Sequence, residues 1–97
     1  MRIARIIGSA VSTIKADSLH GTKLLVVQPA TAADLLLDES PFVAVDAVGA
    51  GHGELVLISE GSAGRYTSLT REAPVDAVIL AILDSLEVDG ETTFRKS

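Results

Sequence analysis

The stretch with the strongest chemical suggestion is "VAVDAVGAGHGELVLISEG", residues 43–61, with glycines at 49, 51 and 53 and a histidine at 52. Closely spaced glycines can let a backbone approach a phosphate. A dinucleotide fingerprint, however, needs G-x-G-x-x-G between a strand and the start of a helix. Here the spacing is G-x-G-x-G, and "ELVLIS" follows, which reads as a strand. No helix N-terminus is offered to an anion, and the Gly-Lys-Ser/Thr of a P-loop is missing. Two readings remain for the glycines. A connection between strands can require positive φ. Alternatively, another backbone comes close, as copies of one loop around a symmetry axis would impose.

The other reactive residue types do not converge in the sequence. His20 lies in a polar turn and His52 in the glycine loop, without H-x-x-H spacing. Two surface histidines are the simpler reading, because a metal site needs several convergent ligands. If the loop rings an axis, His52 would place imidazoles around an opening, where protonation tunes charge. Asp46, Glu54, Glu60, Asp76 and Asp84 are scattered on strand ends. General acid–base catalysis needs two such groups in one pocket. Ser59 and Ser62 lack the G-x-S-x-G elbow. Arg65 is either a solvated loop residue or a partner for a carboxylate across a subunit boundary, where its planar fork is well suited. No catalytic residue, metal or cofactor is expected.

The elements that hold these residues read mostly as strands. Residues 3–14 are rich in Val and Ile, and Gly8 within them suggests a bulge or bend. Residues 15–21 form a polar turn, and "TKLLVVQPA" is a second strand. Residues 31–40 read as a loop with at most one turn. "PFVAVDAVG" and "ELVLIS" are the third and fourth strands, and 60–73 a loop. In "PVDAVILAILDSLEV", residues 74–88, Val75, Val78, Ile79, Ile82, Leu83 and Leu86 sit at helical spacing. The same segment is β-branched enough for a buried strand, and periodicity alone does not decide. Residues 90–97 are polar and expected to form a tail, part of it loose.

The totals narrow the class. The chain has 97 residues, enough for one domain. Hydrophobic residues make up 47%, aromatics only 3%, and mean hydropathy is +0.40. "KLLVVQ" and "ELVLIS" are apolar on both strand faces. A strand buried on both faces ordinarily lies between helices, which this chain lacks. A small barrel with part of its outer face against a neighbouring subunit fits instead. Such barrels bind nucleic acid through aromatic platforms and a basic groove. Three aromatics and a net charge of −5 argue against that use. There is no cysteine, hence no disulfide framework and no thiolate chemistry. "MRIARIIGSAV" is too short and interrupted for a cleavable signal. No run approaches the about 18 apolar residues of a membrane span. A soluble cytoplasmic protein is expected, with no membrane partner.

"MRIARIIGSAVSTIK", "LHGTKLLVVQP", "VAVDAVGAGHGELVLISEGSAGR" and "APVDAVILAILDSLEV" together closely resemble the EutN/CcmL family of bacterial microcompartment vertex proteins, in order over about residues 1–88. The resemblance implies an all-β, five-stranded OB-like barrel over residues 1–89, with one or two short helical turns. It implies homopentamers that cap the vertices of a shell tiled by hexameric and pseudohexameric proteins, with no chemistry of their own. Gly49, Ala50 and Gly51 match the family's "GAG" and would lie around a narrow pore, with His52 beside them. Ser62 and Arg65 match a Gly-Ser-Ser-Ala-Arg segment from which Ala63 and Gly64 depart. With Glu60, they would belong to the subunit interface. The resemblance also favours a turn near residues 74–77 and a strand over 79–87. The alternative function is a small OB-like module for a ligand or nucleic acid. An enzyme has no residues to assign.

Overall fold

The computed structural model of the chain describes residues 1–11, 23–60 and 77–96. Seven strands run through them: β1 (Arg2–Ala10), β2 (Leu24–Pro29), β3 (Phe42–Asp46), β4 (Leu55–Glu60), β5 (Ala77–Ile82), β6 (Ser85–Val88) and β7 (Glu91–Arg95). The first five close into a barrel in the order β1-β2-β3-β5-β4. All its pairings are antiparallel except β3 with β5, which meet in parallel at Val45↔Val78 and Asp46↔Ile79. Closure leaves no barrel strand with an unpaired edge, which open sheets must protect by other means. The architecture is the all-β, OB-like barrel expected from the sequence. Among the described residues there is no helix.

Small branched side chains suit a barrel this narrow. Ala4 and Ile6 of β1, Leu25 and Val27 of β2, Ala44 of β3, Val56 and Ile58 of β4 and Ala77 and Ile79 of β5 fill one core, joined by Ala50 from the glycine loop. Interior positions alternate along a strand. In β2, Leu25 and Val27 are buried while Leu24 and Val26 are half-buried on the outside. The apolar outer face is therefore real. Ile7, Val43 and Val48 keep 39%, 48% and 39% of their surface exposed. The β1–β2 register slips between Ile6 and Gly8, where the sequence suggests a bulge. A Cβ at Gly8 would meet the Cβ of Val26 at 3.8 Å, an ordinary contact. Lack of space does not account for glycine there.

Two segments differ from expectation. The helical spacing in residues 74–88 is misleading: from Ala77 onward the chain is strand β5, broken at Leu83 and Asp84, then strand β6. Val78 and Ile79 are both fully buried, because β5 has one face in the barrel and the other covered. Residues buried on both faces give no period of two. The single strand implied over 79–87 is thus two. The polar tail is also ordered through residue 96. β7 pairs with β6 in a hairpin turned by Asp89 and Gly90, both at positive φ (53° and 82°). The chain extends over 44 × 24 × 24 Å.

Candidate functional site

The glycine loop spans residues 47–54 between β3 and β4, and the destinations of its amides define what it can do. Asp46 ends β3, and its Oδ1 accepts the N–H groups of Val48 and Gly49 at 3.0 Å each and of Ala50 at 3.2 Å. This is the aspartate turn that short carboxylates favour. Glu54 closes the loop from the other end, its Oε1 accepting the N–H of Gly51 at 2.7 Å. The Ala47 amide donates to Ile79 O, that of Gly53 to Ile6 O and that of Glu54 to Gly51 O. His52 alone in the loop has an amide without a partner among the described residues. The nest that would have cradled a phosphate is filled by the chain's own two carboxylates.

Lysine and arginine brace the loop from outside. Lys23 Nζ donates to Ala50 O at 2.7 Å and lies 3.7 Å from Asp46 Oδ2. Arg5 Nη1 donates to Gly53 O at 2.6 Å, while Nη2 pairs with Asp34. Lys96 Nζ reaches Glu54 Oε2 at 2.7 Å. The bond from Lys96, then that from the Gly51 amide, holds the Glu54 carboxyl below its ordinary range, and Glu54 in turn raises the Lys96 ammonium.

The glycines divide by role. Gly49 (φ 77°) and Gly53 (φ 86°) occupy the left-handed region, which a side chain makes costly. Gly51 has no such φ, and a Cβ there would meet only Glu54 Oε1 at 3.7 Å. Among the described residues nothing requires glycine at 51. Ala50 is fully buried and its side chain belongs to the core, so only its backbone faces the loop surface. Gly49 and His52 are exposed and Gly51 is half-exposed. His52 stands between two clefts, of about 290 and 370 Å³.

Glu60 ends β4, and within the chain it meets Arg2 Nη1 at 3.5 Å; Arg2 also pairs with Glu39 at 2.9 Å. Ser62, Arg65 and His20 lie outside the described residues, as does most of the turn expected at 74–77. Asp46, Lys23 and Arg5 carry the loop; residue type marks Asp46 only as a candidate acid or base, and Lys23 and Arg5 not at all. The signal for Asp46 was present as "DAVG", an aspartate followed by a glycine three residues on. Those for Lys23 and Arg5 are long-range pairings with no local mark. Among the described residues no three His, Asp or Glu side chains gather as metal ligands, and no helix is long and apolar enough to cross a membrane.

The described residues form a small closed barrel with apolar side chains exposed on its outer face and a loop sealed by its own carboxylates. The chain belongs to the EutN/CcmL family: the family described as "Ethanolamine utilisation protein EutN/carboxysome" matches residues 1–84. It is 47% identical over 96 residues to a carboxysome shell vertex protein CcmL from Synechococcus elongatus, covering 99% of this chain and 96% of that one. The structure of CcmL from Gloeobacter violaceus superposes with a TM-score of 0.90 at 41% identity, over 99% of this chain and 98% of that one. GrpN, described as a pentameric microcompartment shell protein from Rhodospirillum rubrum, superposes at 0.79 and 43% identity, over 91% and 99%. These relatives are named as shell components, which fits the lack of a catalytic constellation among the described residues.

Proposed function

We propose that the protein is a structural subunit of a bacterial microcompartment shell, assembling as a pentamer that caps its vertices within the cytoplasm. The observation that carries this is end-to-end similarity, 47% identity over 99% of the chain, to a protein named for that vertex role. The physical chemistry agrees. A 97-residue chain buries a limited core, and outer residues such as Val43 and Ile7 remain exposed for a neighbour to cover. A sheet of hexagonal tiles cannot close without pentagonal units, so five-fold assembly supplies the function by shape alone.

In this assembly the loop 49–52 lies at the five-fold axis and rims a narrow pore. Gly49, Gly51 and His52 present the surface, and Ala50 anchors the loop in the barrel core. Gly51, unconstrained within its own chain, is glycine because neighbouring loops approach it. Glu60, Ser62 and Arg65 form part of the subunit interface, with Arg65 pairing a carboxylate across the boundary. The partners are hexameric and pseudohexameric shell proteins. The barrel strands β1–β5 supply the assembling unit, to which the β6–β7 hairpin, Ser85 to Arg95, is appended. The test is co-expression with a hexameric shell protein, viewed by electron microscopy. Closed polyhedra with the chain and open sheets or tubes without it are expected. Shells that close equally well without it would overturn the vertex role.

A further inference from the structure

Three of the chain's eight cationic residues converge on one cleft. Arg5 from β1, Arg95 at the end of β7 and Lys96 line about 290 Å³ beside His52 and the Phe94 ring. Glu54 is the one carboxylate in the lining. Asp34, paired with Arg5, lies outside it. Within the lining three cations face one carboxylate, on a chain whose net charge is −5, while Asp34 beside Arg5 and Asp84 near Lys96 balance the charge around it.

The donors are not exhausted. A guanidinium carries five N–H donors and an ammonium three. Arg5 spends one on Gly53 O and one on Asp34, and Lys96 spends one on Glu54. Arg95 has no carboxylate partner among the described residues. Two features hold the groups in place. The Arg5 guanidinium sits 5.8 Å over the Phe94 ring, which fixes its plane. The amide of Lys96 donates to Asp84 O at 2.7 Å, which extends the β6–β7 ladder, and Thr93 Oγ1 donates to Ala32 O at 2.5 Å, which ties the hairpin to the body. A planar fork beside an ammonium suits the oxygens of a phosphate or carboxylate.

We propose that this cleft between β1, the glycine loop and the foot of β7 binds a small oxyanion, the phosphate or carboxylate group of a small molecule. The proposal does not depend on the vertex role. Because the cleft adjoins His52 and Glu54, an occupant would contact the outer end of the glycine loop.

Backbone amide NMR of the full-length assembly tests it. Inorganic phosphate, acetate and, at matched ionic strength, chloride are titrated in separate arms. Saturating shifts at Gly53, Phe94 and Arg95 with phosphate or acetate are expected, and the tighter arm identifies the headgroup. Arg95→Ala and Arg95→Gln should each weaken binding about tenfold or more, with assembly mass unchanged by native mass spectrometry. Equal shifts with chloride, non-saturating shifts, or unchanged affinity in both variants would overturn the proposal. So would dissociation of the assembly by Arg95→Ala, which would make the cleft a contact between copies.

Discussion

At the residue scale, two carboxylates decide the character of the glycine loop. Asp46, with its side chain only 4% exposed, takes three consecutive amides on one oxygen. Asp46→Ala leaves the part-buried Ala50 amide without that acceptor, and a cost of about 1–2 kcal/mol is expected. Urea unfolding measures the loss, and faster hydrogen exchange confined to residues 48–50 would localise it. Glu54 gives a pH signature. Its carboxyl titrates below its ordinary value in the folded chain, first through Lys96 and then through the Gly51 amide. A group depressed in this way stabilises the fold above its unfolded value, about 4.5, and the contribution drains away as pH falls through the folded value. Lys96 is raised, so its share is complete below its ordinary 10.5 and lost only as pH rises beyond that. The pair is solvent-exposed and its contribution small. Glu54→Gln should therefore flatten part of the acid limb of stability, seen as convergence of wild-type and variant urea midpoints below pH about 4.5. Midpoints that stay parallel down the acid limb would remove the pair from the account.

At the element scale, strand faces carry different weights. Ile58 of β4 is fully buried in the barrel, and Val43 of β3 is 48% exposed. Ile58→Ala is expected to cost about 2–5 kcal/mol, while Val43→Ala in dilute single chains should stay within about 0.5 kcal/mol. Chemical denaturation at matched concentration measures both. The elements also show how far the sequence could be read. Four strands, the Gly8 bulge and the loop at 31–40 were legible, because Gly, Pro and β-branched runs act locally. The residues of the fifth strand alone support either a helix or a strand, since a segment covered on both faces loses its alternation and leaves chance helical spacing in Val75, Val78, Ile79 and Ile82; the family resemblance favours the strand. Strand β7 was not legible because its pairing is tertiary. Glu91–Arg95 is polar and becomes a strand through pairing with β6, with Phe94 and Lys96 held by Arg5 and Glu54. The loop was legible as a non-cradle from its spacing. The carboxylates that seal it needed the fold.

At the scale of the whole molecule, the apolar outer face and the unneeded glycine at 51 point the same way, toward other copies. A Cβ at Gly51 meets only an ordinary contact at 3.7 Å among the described residues, so the lone chain has room for a β-carbon there. Gly51→Val should leave the β-sheet circular dichroism intact while reducing assembly. Equal loss of both would place the crowding inside the chain instead. The vertex role rests on five-fold association, which native mass spectrometry of the purified protein reads directly. The predicted result is a dominant species of five times the 10.1 kDa chain. A clean monomer would contradict the shell assembly, and a hexamer would contradict the vertex role while leaving the barrel intact.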